Sequence, residues 1–159
     1  MIRISKKTEY ALRALVEVSL QSNREANIEA LLSIQKIAQS TEIPVKFLEQ
    51  ILLTLKNAGI LKSKRGMEGG YSLQRSLEQI TLGEILRAID GPLCEWPCLE
   101  KNDPEACRCP DKLTCPIRLS FEPIFIQMNA LLKETTLAQL TDKILLLKSR
   151  NQETPQYSI

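Results

Sequence analysis

A mainly α-helical fold with a small β-wing is predicted: a winged helix-turn-helix domain followed by a long C-terminal helix. Three observations predict it. Apolar residues recur at helical spacing through most of the 159 residues, and aromatic residues make up only 4%. A short helical pattern, a tight turn and a second helical pattern lie between Ser33 and Ala58. A basic hairpin pattern punctuated by glycine follows directly.

Residues 5–22 carry Tyr10, Ala11, Ala14, Leu15 and Val18 at spacings of three and four, the stripe of an amphipathic helix, with Ser5 or Thr8 as its cap. Residues 23–31 are polar and connect. Ser33 caps a short helix reaching about Ser40, with Ile34, Ile37 and Ala38 inward. Thr41 to Pro44 turn the chain. A second helix runs to about Ala58, where Gly59 stops it. Its buried face is expected to be Phe47, Leu48, Ile51, Leu52 and Leu55. That leaves Val45, Lys46, Glu49 and Gln50 exposed near its start. Ile60 to Lys64 and Tyr71 to Leu73 are short strands, and Gly66, Gly69 and Gly70 supply the turn. Lys62, Lys64, Arg65 and Arg75 make this hairpin basic.

Residues 1–78 therefore form the winged domain, and 79–93 a connecting segment with a helix from Ile80 to Asp90, capped by Thr81 and stopped by Gly91-Pro92. All five cysteines lie in 94–115, as C-x3-C-x8-C-x-C-x5-C. Pro116 opens a long helix whose face carries Ile117, Phe121, Ile124, Phe125, Met128, Leu131 and Leu132. Pro123 is expected to kink this helix or mark a later start. Thr136 to Leu147 form the last helix. Residues 148–159 are polar and expected to be a disordered tail.

Charge and composition narrow the function. The net charge is +2, but residues 1–76 hold 12 Lys/Arg against 7 Asp/Glu, and residues 77–159 hold 9 against 12. The basic half is where a polyanion would bind. Histidine is absent, which excludes Ser-His-Asp and Cys-His catalysis and histidine metal ligands. No nucleophile–base pair or phosphate loop is present, so no enzyme is expected. The longest apolar runs are too short to span a membrane. The N-terminus lacks an apolar signal core, so a reducing cytoplasm is the expected compartment.

A helix-turn-helix with a basic wing points to double-stranded DNA as partner. Gln50 suits adenine and Glu49 suits cytosine N4 in the major groove. Lys46, Lys56, Lys62 and Lys64 suit phosphates, and Arg65 at the wing tip suits a minor groove. The apolar face of the long helix exceeds what a winged domain can cover. Phe121, Ile124, Phe125, Met128, Leu131 and Leu132 are therefore expected at a homodimer interface. Dense thiols on a loop suit an iron–sulfur cluster, a four-thiolate zinc site, or a metal-free thiol switch. Spacing alone leaves all three open.

Three stretches carry a family resemblance: I-S-K-K-T-E-Y-A-L-R-A-L, F-L-E-Q-I-L-L-T-L-K-N-A-G-I-L-K-S-K-R-G-M-E-G-G-Y-S-L, and I-T-L-G-E-I-L-R-A-I-D-G. The chain resembles the Rrf2 family of winged-helix transcription regulators over roughly residues 1–140. That family includes regulators of iron–sulfur cluster assembly, nitric-oxide response and cysteine metabolism. The resemblance implies a homodimer crossed through the long helix, on a palindromic operator. It implies Lys46, Glu49 and Gln50 in the recognition helix, and Arg65 and Tyr71 in the wing beside Lys64. Cluster-binding members use three cysteines before the long helix. Here Cys109 and Cys115 match the last two, the first is Cys98 or Cys94, and Cys107 rivals Cys109. Some members add a histidine, where this chain has Arg118. Others add an acidic residue of the partner's first helix, where this chain has Glu9. A 2Fe–2S cluster is favoured, with four thiolates as an alternative ligand set. Other members work without metal, which leaves open a thiol switch or control by a protein partner such as an enzyme of cysteine metabolism.

Overall fold

The computed structural model describes residues 4–24, 30–66, 68–94, 97–100 and 114–153. In chain order these form α1 (Lys6–Arg24), α2 (Ile34–Thr41), α3 (Val45–Asn57), β1 (Leu61–Lys64), β2 (Gly70–Leu73), a 3-10 turn (Leu77–Gln79), α4 (Leu82–Asp90), the single-turn α5 (Pro97–Glu100), α6 (Pro116–Glu134) and α7 (Leu137–Glu153). The mainly helical winged fold is as expected.

Local chemistry sets the helix ends. Ser5 Oγ accepts from the Thr8 N–H at 3.1 Å, so Ser5 caps α1. Ser33 Oγ accepts from the Lys36 N–H, and Thr81 Oγ1 from the Glu84 N–H. Thr136 and Gln139 cap α7 reciprocally, each side chain bonding the other's backbone N–H. Gly59 follows α3 at φ 70°, in the left-handed region that favours glycine. The helix-turn-helix corner instead uses Glu42 at φ 56°.

One hydrophobic core runs through the molecule. Ala11, Ala14, Leu15 and Val18 of α1 meet Ile37 of α2 and Leu48, Ile51, Leu52 and Leu55 of α3. Ile60, Leu61 and Leu73 of the hairpin join them, with Ile80, Ile85 and Leu137 from beyond residue 78. Each of the valine, leucine and isoleucine side chains contributes on the order of 1.5–3 kcal/mol by leaving water. Arg13 donates to the Thr41 carbonyl, which fixes α2 against α1.

The strands pair antiparallel, from Leu61 with Leu73 to Lys64 with Gly70. Tyr71 exchanges two 2.9 Å backbone bonds with Leu32, which holds β2 to the chain ahead of α2. Gly70 permits that approach, because a Cβ there would lie 2.6 Å from the Leu32 carbonyl oxygen.

The α6–α7 corner is stitched to the start of α4. The Leu82 N–H donates to Thr135, and the Leu137 N–H to Ile80, both at 2.8 Å. α7 then lies along α1, where buried Ser19 and Thr141 hydroxyls meet at 2.8 Å.

Four expectations are corrected. Phe47 is 57% exposed and not on the buried face of α3. Four residues at i, i+3, i+4 and i+7 already fill that face, and Phe47 stands one step, about 100°, to its side. Arg75 is not on the basic surface of the wing. Its guanidinium turns back to Glu84 at 2.5 Å and to the Gly59 carbonyl at 3.3 Å. Of the two alternatives for Pro123, the later helix start is overturned, since α6 runs from Pro116 past it. Of the expected tail, residues 148–153 continue α7, because Lys148 to Glu153 is rich in good helix formers, and residues 154–159 lie outside the described residues.

Candidate nucleic-acid interface and cysteine site

The first candidate site is built on α3. Its buried face points at α1, so the opposite face meets solvent. Lys46, Glu49 and Gln50 are exposed on it. They fall at i, i+3 and i+4, one stripe of the helix. Leu53, the next residue of that stripe, is 54% exposed. Lys64 and Arg65 are exposed at the wing tip, where β1 ends. Tyr71 differs from these polar residues, being half-buried against the core on β2, opposite Ser63.

A cleft of about 320 Å³ opens beside this face, between the start of α1 and the flank of α3. Lys6, Lys7 and Tyr10 line one wall, and Phe47, Gln50 and Thr54 the other. Sequence reasoning missed these two lysines as neighbours of the recognition helix. No local signal carries it, because α1 and α3 meet only through tertiary packing.

Asp90 was also missed. It ends α4 but bonds the first turn of α1, through Ser5 Oγ at 2.5 Å, Thr8 Oγ1 at 2.7 Å and the Ser5 N–H at 3.2 Å. Partial burial pushes its carboxyl up, yet these bonds and the charge of Lys7 outweigh that and hold it below the usual value. The residues that follow, from Gly91 at φ 80°, lead into the cysteine stretch.

The second candidate site is that stretch. Cys98, on α5, is 6% exposed, and Cys115, immediately before α6, is 8% exposed. α5 packs on α6, with Leu99 buried beside Cys98 in sequence. Cys94 is half-buried, and these three cysteines are thiols rather than disulfides. Cys107 and Cys109 lie outside the described residues, as does Trp96. Among the described residues, no group of three His, Cys, Asp or Glu side chains is set to hold a metal.

Glu9, on α1, is half-exposed and already paired, with Lys6 at 2.6 Å and Arg13 at 3.8 Å. The hydrogen bond to Glu9, reinforced by its charge, holds the Lys6 ammonium above its usual value. Such exposed pairs break at little cost, so Glu9 stays available to another cation. Arg118 turns to Glu122 at 2.8 Å.

Along α6, Phe121 is 40%, Ile124 56% and Leu131 63% exposed, and no residue of this helix is buried. Phe125 and Met128 are half-buried. Leu132 packs within its own chain, where its Cβ would stand 3.2 Å from a Cβ built on Gly83 of α4. No described helix is long and apolar enough to cross a membrane.

The sequence pattern of the Rrf2 family, described as iron-dependent transcriptional regulator, matches residues 4–143. A Rhodobacter capsulatus protein named as an rrf2-like HTH-type transcriptional regulator is 37% identical over 138 residues, covering 86% of this chain and 91% of its own. Among solved structures, CymR of B. subtilis, titled the global cysteine regulator, superposes with a TM-score of 0.67 at 31% identity. The match covers 90% of this chain and 98% of that one. IscR of T. potens has a TM-score of 0.65 at 23% identity, covering 97% and 93%, a likeness of fold.

Proposed function

The chain belongs to the Rrf2 family of transcriptional regulators, and on that premise we propose a cytoplasmic homodimer that binds a palindromic operator and senses iron, redox or sulfur status through its cysteine stretch. It regulates transcription and is not an enzyme. Glu49 and Gln50 read base edges in the major groove, and Lys46 holds the flanking phosphates. Lys64 and Arg65 bring the wing to the backbone and minor groove, and Tyr71 steadies β2. Repression is the proposed sign of regulation.

A single observation supports the sensor most strongly: Cys98 and Cys115 are both buried at the α5–α6 junction. Two buried soft donors, with Cys109 as a third, suit an iron–sulfur cluster of the 2Fe–2S type. Cys107 or Cys94 is the reserve thiolate, and Glu9 of a second copy the fourth ligand. When bound, such a group would supply a redox-responsive charge that ties the thiolates together.

The rest of the mechanism belongs to the chain. The cysteine stretch leaves α4 after Asp90 and enters α6 at Cys115. α4 packs on α1 and α3, and the far end of α6 is stitched to the start of α4. A rearrangement of the stretch therefore acts on the two helices that support the DNA-reading domain. It shifts the population between orientations of two such domains. Phe121, Ile124, Phe125, Met128 and Leu131 form the seam between copies, with Leu132 at its inner edge.

Purification without oxygen tests the sensor. Iron and acid-labile sulfide in roughly equal amounts, with visible absorbance, are expected. A colourless dimer lacking both would remove the cluster. A metal-free regulator switched by its thiols or by a protein partner is the second reading. It draws on the likeness to the global cysteine regulator of B. subtilis.

A further inference from the structure

The DNA-facing stripe of α3 contains one side chain of the wrong chemistry for a solvated surface. Leu53 is 54% exposed. The core side of the helix is complete without it, through Leu48, Ile51, Leu52 and Leu55, all buried. Nor does Leu53 line the cleft toward α1. It continues the row of Lys46, Glu49 and Gln50, giving i, i+3, i+4 and i+7. The third helix of a homeodomain reads its site with the same spacing. Seven residues of helix advance about 10.5 Å, which is about three base-pair steps at 3.4 Å each. Leu53 thus lies at a different base-pair step from Lys46.

An aliphatic side chain has one complement in the major groove, the C5-methyl of thymine. Every other base edge there presents a donor or acceptor that leucine would strip of water without replacing. We infer that Leu53 is a specificity residue that packs on a thymine methyl in each half-site. The inference rests on α3 being the base-reading helix. It adds one apolar position to a code otherwise written in hydrogen bonds, and it sets thymine against cytosine at that step.

The test removes only the methyl. The full chain first selects sites from a random duplex library. Each thymine of the selected half-site is then replaced by deoxyuridine, and binding is titrated with wild type, Leu53→Ala and Leu53→Met. One thymine per half-site should lose about fourfold in affinity on replacement, the worth of one buried methyl-sized group. That loss should vanish in Leu53→Ala and persist in Leu53→Met, which keeps an apolar contact. Both substitutions suit an exposed helical position, so the fold is retained. Selected sites at which no thymine methyl matters would overturn the inference. So would an equal loss in Leu53→Ala, which would assign the methyl contact to another side chain, such as the exposed Val45 or Phe47 of the same helix. A library that enriches no sequence would instead overturn base reading by α3 as a whole.

Discussion

Asp90 shows how much one side chain can join. Its carboxylate accepts three hydrogen bonds from Ser5 and Thr8, more than 80 residues away in sequence, and so ties the end of α4 to the start of α1. Because its folded value lies below 3.8, the unfolded chain takes up the proton first on acidification. The stabilisation is therefore complete above about pH 4 and fades as pH falls through the folded value. Denaturant titrations from pH 7 down to pH 3 should show the wild type losing stability at the acid end, and Asp90→Asn should flatten that loss. Identical curves would mean the clasp adds nothing. At this scale the sequence misleads most easily. Phe47 shares its hydrophobicity with Leu48, but a step of about 100° puts it in solvent. Arg75 reads as part of a basic wing, yet Glu84 draws it back. Both outcomes depend on which neighbour covers a face, and that is fixed only when helices pack.

Whole elements were far more legible, because their ends are written in local chemistry. Ser33 and Thr81 are caps, Gly59 and Gly91 are stops, and Pro116 opens α6. The hairpin followed from its glycines and alternating strands. The single turn of α5 within the cysteine stretch was not legible, since four residues carry no periodicity. Nor was the extension of α7 past Leu147, where polarity looked like disorder although the residues favour helix. For the DNA-reading elements, the two substitutions should differ. Arg65→Ala removes a cation from the wing and should weaken binding on all sequences alike, lowering the salt slope by roughly one. Gln50→Ala on α3 should cost about 1–3 kcal/mol and should relax preference at one position. Unchanged titrations for both variants would remove these contacts from the interface.

At the scale of the whole molecule, the chain spends one long helix without burying any of its residues. Ile124 and Leu131 stand more than half exposed on α6, while the core is already complete without them. In the proposed dimer, a second copy laid along this helix would give these side chains the cover they lack. Gel filtration at micromolar concentration should show a dimer, and Phe121→Glu with Ile124→Glu should yield a folded monomer with weakened DNA binding. A wild-type monomer would refute the seam. In the proposed dimer, the cysteine stretch lies in sequence between the DNA-binding half and this helix. That placement was legible from sequence, because the cysteines lie between two helical patterns. Which thiols come together was not, since ligand sets form in three dimensions and Cys107 and Cys109 lie outside the described residues. The most direct test of a sensor coupled to DNA reading is the affinity of one selected duplex for the anaerobically purified protein, measured before and after its iron is chelated. The two dissociation constants should differ by at least about fivefold, the low end of measured couplings between sites. Equal constants, with iron shown to be present and then removed, would contradict the coupling.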